Sequence, residues 1–205
     1  MSRELTAQTP KLEVRDFGLR FSQYGRGLER QCVRVMSGLD LEVMPGEILA
    51  VVGSSGSGKS LLAHAILGIL PSNATTSGEL FFEGEALTQA RIEELRGKRI
   101  ALIPQSVNYL DPLLSVGHQI RHAFPSGPTE ERNALALEIM ARYGLAAEVF
   151  DYFPHQLSGG MARKVLLCTA LAGDADLIIA DEPTPGLDEA SIAEVLKDFK
   201  HVTSQ

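Results

Sequence analysis

The chain has 205 residues, 44% hydrophobic and 22% charged, with 19 basic against 26 acidic side chains and a formal charge of −7. Those figures fit a soluble globular chain of one domain, or one domain with an inserted lobe. The acidic balance argues against a dedicated nucleic-acid module, which needs a basic face, so no nucleic-acid partner is expected.

The polar residues 1–10 read as a tail, without the apolar centre of a signal peptide. Alternation over 11–21 predicts a strand, and 39–43 another. After the Pro45-Gly46 turn, the uniformly apolar run 48–52 reads as a strand covered on both faces. A Gly/Ser-rich loop follows, then a helix over 60–70; the apolar part of this stretch is half as long as a bilayer crossing requires. Strands are predicted at 79–83 and 99–103. From 105 to 156 the character shifts to Pro-containing loops and a helix over 130–143, which reads as an inserted helical lobe. A helix over 158–171, an apolar strand over 176–180 and a helix over 189–199 complete the chain. Strands alternating with helices imply an α/β core with a mainly parallel sheet. Cys32 and Cys168 lie too far apart in sequence for a metal-ligand pair, and their apolar neighbours predict buried free thiols.

Two elements carry chemistry on their own. Gly53, Ser54, Ser55, Gly56, Ser57, Gly58, Lys59 and Ser60 fit G-x-x-x-x-G-K-[ST], the phosphate-binding loop. Its glycines let successive backbone N–H groups converge on phosphate oxygens, and the following helix N-terminus adds partial positive charge. Lys59 supplies a point charge for the β- and γ-phosphates, and the Ser60 hydroxyl is a candidate Mg²⁺ ligand. The second element is the apolar strand that ends in Asp181 and Glu182. Two carboxylates at a buried strand end are costly unless they meet a cation or do chemistry. Asp181 is placed to hold Mg²⁺, and Glu182 to act as general base on the attacking water.

Leu157-Ser158-Gly159-Gly160-Met161 is the third element. Together with the phosphate loop, Gln105, Asp181-Glu182 and Gly186-Leu187-Asp188, its order and spacing resemble an ABC-type ATPase over about residues 11–200. The resemblance implies an α/β P-loop NTPase core within an ATP-binding domain over 11–205. It also implies an N-terminal antiparallel β portion and a helical lobe at about 105–160. ATP and Mg²⁺ are the implied cofactors. Ser158, Gly159 and Gly160 would form the signature loop, which in the family reaches the γ-phosphate held by the other subunit of a dimer. Gln105 would touch Mg²⁺ and water, adding to Lys59 and Glu182 as a catalytic group, and Asp188 would lie at the dimer seam. Tyr24 is the candidate for stacking on adenine, with Phe21 second.

His155-Gln156 before the signature, Met161 within it and the stretch 110–117 are similar to the dipeptide, oligopeptide and nickel importer ATPases. Ala162-Arg163-Lys164 and Thr184-Pro185-Gly186 depart from that group's usual pattern. The expected function is therefore the ATP-binding subunit of an importer, coupling ATP hydrolysis to solute entry through a membrane permease. A second ATP-binding subunit is the expected partner, a solute-binding protein an indirect one, and the inner face of the cell membrane the expected location. The alternatives are a nucleotide-binding fragment with little hydrolysis and a soluble ABC-type ATPase outside transport.

The family's switch histidine falls further along than Gln205, and His201, expected directly after the last helix, reads as an ordinary polar residue. The sequence is thus expected to be a truncated cassette or a short product. His64, His118, His122 and His155 read as scattered, without ligand spacing. Arg163 and Lys164 read as a solvated helix face.

Overall fold

The computed structural model describes residues 8–24, 30–124, 126–173 and 175–202. The chain divides into two compact units, residues 1–94 and 95–205.

In the first unit, β1 (Leu12–Tyr24), β2 (Arg30–Val43), β3 (Ala74–Phe82) and β4 (Glu85–Ala86) form an antiparallel sheet in the order β2-β1-β3-β4. The expected strands at 11–21 and 39–43 thus belong to one long hairpin, with Leu12 opposite Val43 and Phe21 opposite Val33. Leu12 and Val14 are buried, and then Phe17 and Leu19. The phase slips by one residue because β1 carries a bulge after Val14, where Asp16 has φ 47°. Gly78 of β3 passes this bulge so closely that a Cβ there would lie 2.4 Å from the carbonyl oxygens of Arg15 and Asp16. Two helices follow in the same unit, α1 (Lys59–Ile66) and α2 (Gln89–Leu95). α1 buries Leu62, Ala63, Ala65 and Ile66, while α2 buries Ile92 and Leu95.

Residues 48–52 overturn an expectation. They form no strand, and Ile48 is 60% and Val52 91% exposed. Apolar composition shows that a segment can be buried, but a strand also needs neighbours to take its backbone hydrogen bonds. Among the described residues this segment has no ladder partner.

In the second unit, β5 (Ile100–Ile103) and β6 (Leu177–Ala180) pair in parallel, Ile100 with Leu177 and Ile103 with Ala180. This pair is the parallel component among the described residues. Arg99 fixes the start of the ladder: its carbonyl accepts from the amides of Asp176 and Leu177, and its guanidinium lies 2.5 Å from Asp176 Oδ2. The helices are α3 (Val116–Ala123), α4 (Thr129–Arg142), α5 (Gly159–Leu171) and α6 (Glu189–Val202). Ile103, Ile120, Met140, Val165, Leu167 and Val195 meet in one buried cluster, so β5 and all four helices share a core. α6 is further tied down by Asp198, which accepts a hydrogen bond from the buried Tyr143 hydroxyl and pairs with Arg142 at 3.3 Å.

Three smaller expectations are corrected. Cys168 is buried and its thiol is pushed up to about 12 by desolvation, but Cys32 on β2 is exposed. Cys32 lies on a long strand whose apolar neighbours alternate between faces, so apolar neighbours in sequence do not imply burial. The backbone of α6 runs through His201, placing it inside the helix rather than after it. His118 and His122 are not scattered: a spacing of four on α3 brings their rings within 4.3 Å.

Candidate functional site

The phosphate loop belongs to the first unit. Gly56 has φ 79° and Gly58 φ 96°, left-handed conformations that let the chain turn sharply into α1. Gly58 is also packed: a Cβ there would stand 2.7 Å from Met36 Cε and 3.0 Å from Val35 Cγ1. Ser57 donates its amide to the Ser54 carbonyl at 3.2 Å, closing the turn, and a Cβ on Gly53 would stand 2.7 Å from Ser57 Oγ. Lys59 folds back over the loop and donates to the carbonyls of Gly53 at 2.8 Å and Ser54 at 3.0 Å. No side chain caps the N-terminus of α1, and its first turn carries no acidic residue. The orphan amides of such a turn, the helix dipole and the Lys59 ammonium all favour an anion. Phosphate fits this donor set. Ser60 is half-buried one residue beyond Lys59, and a serine hydroxyl is a hard oxygen of the kind Mg²⁺ takes. Tyr24 ends β1, but its side chain lies outside the described residues. Phe21 is half-buried in the same strand, opposite Val33 and Ala74.

The second unit gathers the remaining candidates. β6 ends at Ala180, and the Asp181 amide extends the parallel ladder by donating to the Ile103 carbonyl at 2.9 Å. That bond places the half-buried Asp181 at the carboxyl end of the strand. Glu182 then turns into the left-handed region with φ 49°. An L-residue there is strained, and such strain persists only where the surroundings hold it. Gln105 helps to hold it: its Nε2 donates to Glu182 Oε2 at 2.6 Å. Two residues 77 positions apart in sequence thus meet at the ends of the paired strands β5 and β6.

Ser158 caps α5, its hydroxyl accepting from the Met161 amide at 3.2 Å, and Gly159 and Gly160 open the helix. Space around Gly159 is open, whereas a Cβ on Gly160 would lie 3.5 Å from the Gly186 carbonyl. Lys59 and the loop from Gly53 to Ser60 therefore belong to one unit, and Gln105, Ser158, Gly159, Gly160, Asp181 and Glu182 to the other. Among the described residues, no group of three or more His, Cys, Asp or Glu side chains is arranged as a metal site.

Two residues expected on a solvated helix face are partnered instead. Lys164 pairs with Asp188 at 2.8 Å, and Arg163 lies against Gly186. The two stretches that depart from the importer pattern, 162–164 and 184–186, thus lie side by side.

The family model described as ABC transporter matches residues 36–185. The oligopeptide transport ATP-binding protein OppD of Bacillus subtilis is 36% identical over 94% of this chain and 56% of its own length. A probable peptide ABC transporter ATP-binding protein of Sinorhizobium fredii is 38% identical, over 91% of this chain and 57% of its own. The chain spans a little over half the length of these curated relatives. Among solved structures, a dimeric post-hydrolysis state of an ATP-binding cassette bound to ADP and phosphate is similar with a TM-score of 0.80. It is 24% identical and covers 94% of this chain and 82% of its own, and so shows the fold. An ATP-binding subunit of an ABC transporter matches with a TM-score of 0.73 at 25% identity, over 94% of this chain and 75% of its own. With that cassette fold, the phosphate loop and the family match over most of its length, the chain belongs to the ABC transporter family as an ATP-binding domain.

Proposed function

We propose that the chain is the ATP-binding part of an ABC importer for peptides or a chemically similar small solute, with nickel a further candidate. In this reading it binds ATP, closes with a second ATP-binding subunit and drives a membrane permease from the cytoplasmic face, a solute-binding protein acting indirectly. The observation that carries the reading is the uncapped N-terminus of α1, with Lys59 held over the loop that precedes it. The names of the peptide-transport relatives support the cargo class. No helix among the described residues is long and apolar enough to cross a membrane.

The roles follow from the chemistry of each side chain. The amides from Ser54 to Ser60 and the Lys59 ammonium take the phosphates, and Lys59 exchanges the carbonyls of Gly53 and Ser54 for phosphate oxygens. Mg²⁺, when bound, screens the phosphate charge, and Ser60, Asp181 and Gln105 are the groups with oxygen donors suited to it. Glu182 accepts the proton of the attacking water. Ser158, Gly159 and Gly160 present the N-terminus of α5 to a second nucleotide. Tyr24 stays the candidate for the adenine face.

A second reading, nucleotide binding with little turnover, is favoured by the bond from Gln105 to Glu182, which occupies an oxygen of the base. Equilibrium binding of Mg-ATP and steady-state phosphate release, measured on the same preparation, separate the two. Saturable binding with phosphate release that Glu182→Gln removes supports the first reading. Binding with no release above background supports the second, and no binding sinks both.

A further inference from the structure

The turn that follows Glu182 is held against α5 at two points. On one side, Lys164 Nζ stands 2.8 Å from Asp188 Oδ2, and the lysine side chain is only 16% exposed. Its stem is packed, so the ammonium is delivered to one place rather than swinging in solvent. The other Asp188 oxygen accepts from the Ser191 amide at 2.8 Å, and the Asp188 carbonyl accepts from Ile192 at 3.0 Å. Asp188 is therefore at once the N-cap of α6 and the counter-charge of α5. On the other side, Gly186 has φ 77°, and a Cβ built on it would meet Arg163 Nε at 3.2 Å and Cδ at 3.4 Å. Between the two points, Leu187 donates to the Thr184 carbonyl at 3.1 Å and packs its side chain on the buried cluster.

Asp188 is half exposed, so its ion pair adds little stability on its own. What the pair does is set geometry. α5 begins at Gly159 behind its cap Ser158, and Gly160, Arg163 and Lys164 in its first two turns lie against Gly186 and Asp188. We propose that Arg163 and Lys164 are positioning residues that clamp the turn at 184–188 onto the start of α5, so that Ser158, Gly159 and Gly160 move with the chain that leaves Glu182. A ligand engaged at the N-terminus of α5 is then tied, through a short stiff path, to the backbone that holds Glu182 in its strained conformation. The consequence for turnover rests on the ATPase reading above; the clamp itself rests on the geometry alone.

Amide exchange followed by NMR on the full chain, with Mg-ATP binding and phosphate release measured in parallel, tests the clamp. Lys164→Gln is expected to speed exchange at Leu187 and Ser191 about three- to tenfold, with β5 and β6 unchanged, and Lys164→Arg to restore the slow rates. Gly186→Ala, which drives a methyl group into Arg163, is expected to speed the same amides, and adding Arg163→Ala to recover part of the loss. Where the chain turns over ATP, Lys164→Gln lowers kcat and leaves KM unchanged. Unchanged exchange at Leu187 and Ser191 in both Lys164→Gln and Gly186→Ala overturns the clamp, as does faster exchange spread through β5 and β6. Faster exchange confined to the turn, in a chain with no turnover, upholds the clamp and fails the ATPase reading instead.

Discussion

Gln105 and Glu182 are joined by a hydrogen bond of 2.6 Å between the amide Nε2 of one and the carboxylate Oε2 of the other. Gln105 follows β5 and Glu182 follows β6, so the parallel register of those two strands sets the bond. The same glutamate sits at φ 49°. The group proposed as the base is therefore oriented from two directions, by its own backbone and by a neighbouring amide, before any water reaches it.

Glu182→Gln keeps the shape and an oxygen to accept from Gln105, but removes the proton acceptor. Mg-ATP binding is expected to persist while phosphate release falls about 10²–10⁴-fold, the usual worth of a general base. Parallel binding and phosphate-release assays check it; an unchanged turnover would assign the base elsewhere.

Gly58 and Gly56 differ in a way that separates backbone strain from packing. Both need left-handed backbone, but a methyl on Gly56 meets nothing within 4 Å, while one on Gly58 strikes Met36 and Val35. Gly56→Ala is expected to cost about 1–2 kcal/mol, the torsional penalty alone, or about 2–8 °C in Tm for a chain of this size. Gly58→Ala should cost at least about 1 kcal/mol more because of overpacking. Thermal unfolding of the two variants side by side decides it, and equal losses would mean that the contact with Met36 and Val35 relaxes freely.

Tyr143→Phe removes the hydroxyl that donates to Asp198, a residue only 8% exposed. Arg142 stays as a partner, so the expected loss is about 1–3 kcal/mol, the cost of leaving one buried acceptor short of a donor. Urea unfolding measures it. A loss below the error of the fit would show that Arg142 alone satisfies Asp198.

The Lys164 ammonium, and after it the Ser191 amide, hold the Asp188 carboxyl well below its ordinary value of 3.8. A depressed carboxylate stabilises the fold above the ordinary value and loses that contribution as pH falls through the folded value. The turn at 184–188 should therefore stay clamped through pH 4 and loosen only in stronger acid. The carboxyl carbon shift of Asp188, followed against pH, should show a midpoint under 3.8 that moves back up in Lys164→Gln. A wild-type midpoint at or above 3.8 would remove Lys164 as its partner.

The motifs of the proposed site were legible because each is local. The phosphate loop, the Asp181-Glu182 strand end and the Ser158-Gly159-Gly160 cap each sit within eight consecutive positions. Strand register was less legible: the bulge at Asp16 shifts the alternation of β1 by one residue, and only pairing with β2 and β3 reveals why. The run 48–52 was misread because composition reports what a segment can bury and not which strands pair with it. The partner of Lys164 was not legible because an ion pair spanning 24 positions between a helix and a turn leaves no periodic trace. α3, which carries His118 and His122, was absorbed into an expected loop because Pro112 and Pro125 flank it.

The proposed function requires that the loop at Gly53 to Ser60 hold the phosphates of ATP. Titration of the purified chain with a fluorescent ATP analogue and Mg²⁺ should give saturable binding. Lys59→Ala, which keeps the loop but deletes its point charge, should weaken that binding by at least about 10–100-fold, the worth of a charged hydrogen bond or more. An affinity that is the same in the wild-type chain and in Lys59→Ala would contradict the assignment.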